Sequence, residues 1–150
     1  DSIILSKHPF KKKGNEDDSI ITKIIVNGTE LDILSVHLYS TFSKQRFNSA
    51  NKQIQIIENI IKNTDQNLIL IGDFNMTNIS KRFISFLEET NLYTYTSYIQ
   101  PTFTWPAYLP SYFGIQIDHV LFSENIKMVN KKTSESLGSD HRALIVDLAF

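Results

Sequence analysis

Asn67-Leu68-Ile69-Leu70-Ile71-Gly72-Asp73-Phe74-Asn75-Met76-Thr77 carries four consecutive large aliphatic residues, then a glycine, then two polar side chains one residue apart. Such an aliphatic run fits a short strand buried on both faces. Side chains at i and i+2 of a strand share a side, so Asp73 and Asn75 stand together if extended geometry continues past Gly72. A carboxylate and a carboxamide where a buried strand emerges match the place where α/β folds hold ligands. The same two groups can equally cap the turn that follows.

Just upstream, Phe47, Ala50, Ile54, Ile57 and Ile61 form one apolar stripe at helical spacing. The stripe predicts a helix over 42–64, with Ser43 as N-cap and Asn63-Thr64-Asp65 as its end. Before it, 20–26 and 31–38 are rich in β-branched and apolar residues and flank Asn27-Gly28. That dipeptide supplies the positive φ angles of a hairpin turn, so the two segments read as antiparallel strands. In the second, Leu31, Ile33, Ser35 and His37 share one face, and Asp32, Leu34, Val36 and Leu38 the other. Strand, helix and the strand at 68–71 then make a crossover unit.

At the front, Ile3-Ile4-Leu5 predicts a strand, Pro9 ends its pairing, and 11–18 reads as a polar loop. The Lys11-Lys12-Lys13 triplet is a solvated loop or a phosphate contact. Downstream, Ser80 can cap a second helix to about Thr90, with Phe83, Phe86 and Leu87 inward. Residues 91–114 concentrate aromatics and prolines with no helical period, which predicts an irregular region able to wall a pocket. A strand over 115–122, a short one over 126–129, a loop over 131–138 and a last strand over 143–148 complete the α/β reading.

The length of 150 residues fits one domain with a sizeable core. Fifteen basic against sixteen acidic residues give a net charge of −1, so charge alone does not announce a nucleic-acid binder. The lack of cysteine excludes disulfides, thiolate metal sites and a thiol nucleophile. No apolar run in this chain is long enough for a transmembrane helix. The start at Asp1, without Met and directly before an apolar segment, reads as a piece of a longer protein whose upstream part can include a membrane anchor.

Polar groups interrupt the apolar strands at His37, Asp73 with Asn75, Asp118, and Asp140-His141. Each has an ordinary explanation: a hydrogen-bonded core histidine, a turn cap, or an ion pair between Asp140 and Arg142. Asp118, inside Ile117-Asp118-His119-Val120, needs a partner if it is buried. Their recurrence at strand ends points instead to one convergent cluster. His119, next to Asp118 on the strand, faces the opposite side and is assigned to structure, and His8 lies in a loop outside the cluster.

Val36-His37-Leu38, Gly72-Asp73-Phe74-Asn75, Ile117-Asp118-His119-Val120-Leu121 and Gly138-Ser139-Asp140-His141-Arg142 resemble, in order and spacing, the endonuclease/exonuclease/phosphatase (DNase I-like) superfamily. The resemblance implies a DNase I-like four-layer α/β sandwich, two packed mixed sheets flanked by helices, with the active site at one rim. It implies Mg²⁺-dependent hydrolysis of a phosphate ester by in-line attack of water, with Mn²⁺ as a substitute. Asp73 would then activate or orient the water, and Asn75 would hold that water or a phosphate oxygen. His141 would contact the scissile phosphate, Asp118 would buttress His141, and His37 would bond the phosphate or help the leaving group. Asp140 would bind metal together with Asp73 and Asn75. These residue types suit the task, since an anionic phosphodiester needs a hard cation, charge-stabilising donors and a positioned water.

Family members also carry an N-terminal strand bearing Asn, followed by a metal-binding Glu, and this sequence starts after both. The resemblance therefore implies a single, N-terminally truncated domain over 1–150, about the C-terminal two-thirds of the whole. The Thr104-Trp105-Pro106 run is similar to a bacterial branch in which some members carry membrane helices. The substrates that follow are nucleic acid, with a nuclease as the leading expectation, or a lipid or small-molecule phosphate or pyrophosphate. Accordingly the aromatic region 93–113 can stack on bases, contact lipid or pack the second sheet. An incomplete remnant that keeps the fold for binding is the reading from another class.

Overall fold

The computed structural model describes residues 3–16, 19–64, 67–95, 102–110 and 112–150, without the side chains of Lys12, Lys13, Asn15 and Glu16. Asp17, Asp18, Asp65, Tyr98 and Pro101, on which parts of the sequence reading fall, lie outside these residues, as do two lysine side chains of the triplet. In chain order the elements are β1 (Phe10–Glu16), β2 (Ser19–Val26), β3 (Thr29–His37), α1 (Lys44–Lys62), β4 (Leu68–Asp73), α2 (Lys81–Thr90), β5 (Asp118–Phe122), β6 (Lys127–Thr133) and β7 (Leu144–Ala149).

A mixed five-stranded sheet runs β1-β2-β3-β4-β5, and β6-β7 forms a second sheet. The Asn27-Gly28 hairpin forms as expected, with Asn27 at φ 51 and Gly28 at φ 85 and antiparallel pairing from Ile20↔Ser35 to Val26↔Thr29. Helix α1 starts at its Ser43 cap, whose hydroxyl accepts from the Arg46 N–H. It carries the chain over to β4, which pairs parallel to β3.

Strand alternation sorts the core into two halves. Leu34, Val36, Leu38, Leu68, Leu70 and Leu121 face the helices and pack on Ile54, Ile57, Phe83 and Phe86. Leu31, Ile33, Ile69, Val120 and Phe122 face the other way and meet Met128, Leu144, Val146 and Leu148 of the second sheet. The chain thus shows the expected α/β architecture of two packed sheets with helices, and the described residues place both helices on one side.

Several boundaries differ from the sequence reading, each for a tertiary reason. Ile3 and Leu5 are 80% and 90% exposed and join no strand. The expected polar loop at 11–18 is instead edge strand β1, paired with β2 from Phe10↔Ile24 to Glu16↔Ser19. An edge strand is paired on one side only, so it tolerates charges that its sequence alone makes look like a loop. β5 begins at Asp118 rather than 115, because the buried Thr104 hydroxyl takes the N–H groups of Ile117 and Asp118, both at 3.2 Å. β6 extends through Lys131 into the expected loop, since β7 pairs with it as far as Thr133↔Leu144.

Candidate active site

Three adjacent strands end in one row. The register sets His37 of β3 beside Asp73 of β4, and Asp73 beside Asp118 of β5. By alternation the three side chains share the sheet face that meets β6-β7. On that side the segment leading into β7 brings in His141, whose Nδ1 lies 2.8 Å from Asp118 Oδ2. A carboxylate only accepts, so the imidazole donates from Nδ1, and Nε2 is the ring nitrogen left for a ligand.

Gly72 makes the row possible. At φ +147 its backbone passes so close to β3 that a Cβ would lie 1.8 Å from the Val36 carbonyl oxygen. Any side chain would push Asp73 away from His37. Here His37 Nε2 and Asp73 Oδ2 stand 3.6 Å apart, a distance for an ion pair once the imidazole is protonated.

Asn75 reaches Asp73 by a different route from strand alternation. The strand stops at Asp73, and Asn75 adopts φ 49, a left-handed conformation that asparagine tolerates. Asp73 Oδ1 accepts the Asn75 backbone N–H at 2.8 Å. The Asn75 amide donates to Leu38 O at 2.8 Å and lies 3.3 Å from Asp73 Oδ2. Capping and clustering are therefore one arrangement. With both amide contacts made through nitrogen, the Asn75 side-chain oxygen has no protein partner among the described residues.

A cleft of about 970 Å³ opens over the row, bordered by His37, Asp73, Asn75, Asp140 and His141. Burial pushes the Asp73 carboxyl above its ordinary value, with the Asp118 charge adding to the rise and the Asn75 N–H opposing it. For His141, burial opposes the charged form. The Asp118 hydrogen bond and the charges of Asp118, Asp73 and Asp140 outweigh it and hold the imidazole above its ordinary value.

Asp73, Asp118 and His141 each offer a ligand atom, all within 4.8 Å of one another. Because Asp118 and His141 hold each other, the hard oxygens left for a cation such as Mg²⁺ at the cleft are those of Asp73 and Asn75, with Asp140 on the same border. Asp140 borders the same cleft but stands outside this group of three, its carboxylate lying 3.5 Å from the Ser139 hydroxyl.

His119 is buried on the helix side, as its position on the strand implied. Its Nε2 donates to Met76 O at 2.8 Å, and Gln116 Nε2 lies 3.3 Å from Nδ1. Burial lowers its pKa to about 4, so the ring is a neutral pin for the turn that presents Asn75. Arg142 is not a surface partner of Asp140. It is buried, and its guanidinium donates to the carbonyls of Ala107 and Leu109. With Arg142 N–H to Thr104 O at 2.8 Å and Ala107 N–H to Asp140 O at 2.7 Å, it ties 104–109 to the His141 segment.

Sequence reasoning missed Thr104 and Arg142 as supports, and it missed Arg46, which borders the cleft from the first turn of α1. For Thr104, the only local signal was a polar residue within an aromatic region. Arg46 carried one readable cue, a cation in the helix turn that favours acids.

Two packed sheets with helices and an acid–histidine row at the strand ends define a DNase I-like α/β protein. The chain belongs to the Endonuclease/Exonuclease/phosphatase family, whose profile matches residues 3–141. Among solved structures it resembles beta toxin from Staphylococcus aureus, with 20% identity and a TM-score of 0.66 over 95% of this chain and 65% of the toxin. A form of that toxin with bound magnesium ions matches with 16% identity and a TM-score of 0.65, over 93% of this chain and 64% of the toxin. A 3′ phosphatase from Neisseria, bound to a product DNA hairpin, gives 13% identity and a TM-score of 0.74 over 97% and 73% of the two chains. A mannosyl-6-phosphatase from Bacteroides thetaiotaomicron gives 18% and 0.67 over 96% and 68%. At these identities the likeness shows the fold, and the chain spans less than two-thirds of the toxin's length. No curated protein matches the chain.

Proposed function

We propose that this chain carries the hydrolytic site of a metal-dependent phosphoesterase, a nuclease-like phosphodiesterase first of all. The observation that supports it most is the His37–Asp73–Asp118 row: His37 and Asp73 border one cleft with His141, which Asp118 holds from beside it. A row of strand-end residues joined by a side chain from a distant segment is costly to assemble as a core feature alone.

In the proposed reaction, water adds to phosphorus and the bond to the leaving-group oxygen breaks. Asp73, raised by burial, accepts the proton of the attacking water, and Asn75 orients that water through its free amide oxygen. His141, held by Asp118, presents Nε2 to a phosphoryl oxygen and, when protonated, offsets charge that grows there. His37 donates to a further phosphate oxygen or returns a proton to the leaving group. Asp73, Asn75 and Asp140 would hold Mg²⁺ or Mn²⁺, whose charge polarises the phosphoryl group and lowers the pKa of bound water.

The nuclease reading draws support from the aromatic surfaces around the cleft and from the likeness to a phosphatase bound to a DNA hairpin. A second reading, hydrolysis of a small-molecule phosphomonoester, draws on the likeness to a mannosyl-6-phosphatase. Hydrolysis of bis-(p-nitrophenyl) phosphate by purified protein, compared with oligonucleotide, phospholipid and sugar-phosphate substrates, tests both. Absence of metal-stimulated turnover on every one of them overturns the proposal.

A further inference from the structure

We propose that Arg46 is a specificity residue that binds a second phosphoryl group of the substrate, next to the one being hydrolysed. The inference rests on the phosphoesterase reading and adds the chemistry of the ligand: a nucleotide unit phosphorylated on both sides.

Four observations carry it. Arg46 borders the same cleft as His37, Asp73 and His141. It has no carboxylate within ion-pair distance among the described residues. Its Nη1 instead donates to Ser40 Oγ at 3.0 Å, which steadies the guanidinium without neutralising it. It also stands in the first turn of α1, where Lys44 is its companion and no acid is present. A cation there gains nothing from the helix dipole, so helix stability does not account for it.

The rest of that rim fits a nucleotide. Tyr39, Phe42 and Trp105 border the cleft, and Phe42 is 92% exposed. Flat aromatic surfaces accept a base by stacking, and an arginine matches phosphate with paired donors. The carboxylates of Asp73 and Asp140 repel an anionic ligand, whereas Arg46 attracts its second charge and fixes its direction. Arg46 and its partner Ser40 border the cleft together with Tyr39 and Phe42, so a phosphate held there adjoins the base-stacking surfaces.

Trp105, the one tryptophan of the chain, reports binding without any need for turnover. Its fluorescence is titrated with thymidine 3′,5′-bisphosphate and with thymidine 5′-monophosphate, in the wild type and in Arg46→Met and Arg46→Lys, each first checked for an unchanged melting curve. The wild type should bind the bisphosphate at least about tenfold tighter, and Arg46→Met should erase that preference while moving monophosphate affinity by less than about twofold. Arg46→Lys should restore part of it. No preference in the wild type, or equal losses for both ligands in Arg46→Met, overturns the inference. An oligothymidylate arm separates the sources: about tenfold tighter binding than the bisphosphate identifies a strand, and equal binding a free nucleotide. Parallel turnover of bis-(p-nitrophenyl) phosphate keeps the two proposals apart. Its absence beside an intact Arg46-dependent preference removes the hydrolytic reading alone, and normal turnover without the preference removes the Arg46 role alone.

Discussion

His141 Nδ1 and Asp118 Oδ2 lie 2.8 Å apart although 23 residues separate them in the chain. Asp118 opens β5, and His141 sits three residues before β7, so the contact joins the two sheets at the rim where the cleft opens. It fixes one imidazole tautomer and leaves the other nitrogen for chemistry.

Asp118→Asn should therefore change both rate and pH dependence. Turnover of bis-(p-nitrophenyl) phosphate should fall by at least about 100-fold, the scale of a lost acid–base group, with His141→Ala falling as far. The folded pKa of His141 is raised, so the stability it contributes is present below its ordinary value near pH 6.5 and is lost as pH rises through the folded pKa. Melting temperatures across that window should lose this dependence in Asp118→Asn. An unchanged profile and unchanged turnover together contradict the role.

Asp73→Asn should lower turnover by about 100-fold or more while leaving the fold intact, because the Asn75 N–H can still bond the amide oxygen. Mn²⁺ binding, followed by electron paramagnetic resonance, should weaken in the same variant. EDTA should abolish turnover, and Mg²⁺ or Mn²⁺ should restore it. Activity that resists the chelator argues against the metal.

Gly72→Ala should destabilise the protein by about 2 kcal/mol or more in denaturant melts, since the added methyl meets the Val36 carbonyl and the backbone must shift. The shift should also separate His37 from Asp73, so residual folded protein should be impaired in turnover. Wild-type stability in this variant is the contrary result.

His119 should produce an acid-side loss of stability. Its pKa is about 4 in the folded chain, so the unfolded chain binds the extra proton between roughly pH 6.5 and 4, and stability falls as pH drops through that range. The full loss corresponds to about 3 kcal/mol. His119→Gln, which keeps a donor toward Met76 O, should flatten the pH dependence while lowering stability at neutral pH.

The sequence by itself determined the hairpin, both capped helices, the crossover and the sorting of β3 onto two faces. Each rests on local rules: Asn-Gly at a turn, Ser at a cap, an apolar stripe at helical spacing, alternation along a strand. It also marked His37, Asp73, Asn75, Asp118, Asp140 and His141, because polar groups stand out where strands are otherwise apolar. Edge strand β1 escaped, since a strand paired on one side need not be apolar. Thr104 and Arg142 escaped because their partners are backbone atoms of segments remote in sequence, which a residue pattern does not display, and Arg46 escaped because only the packing of α1 beside β3 and β4 brings it to the cleft.

The Gly72-Asp73-Phe74-Asn75 stretch shows the division most directly. Its residues fix where the strand ends and which groups emerge. Only the tertiary structure decided that Gly72 is pressed against Val36, that Asn75 meets Asp73 through a left-handed turn, and that His37 and Asp118 flank Asp73 in register. Register and close approach arise from the packing of segments distant in sequence, so spacing names the groups and packing sets their geometry.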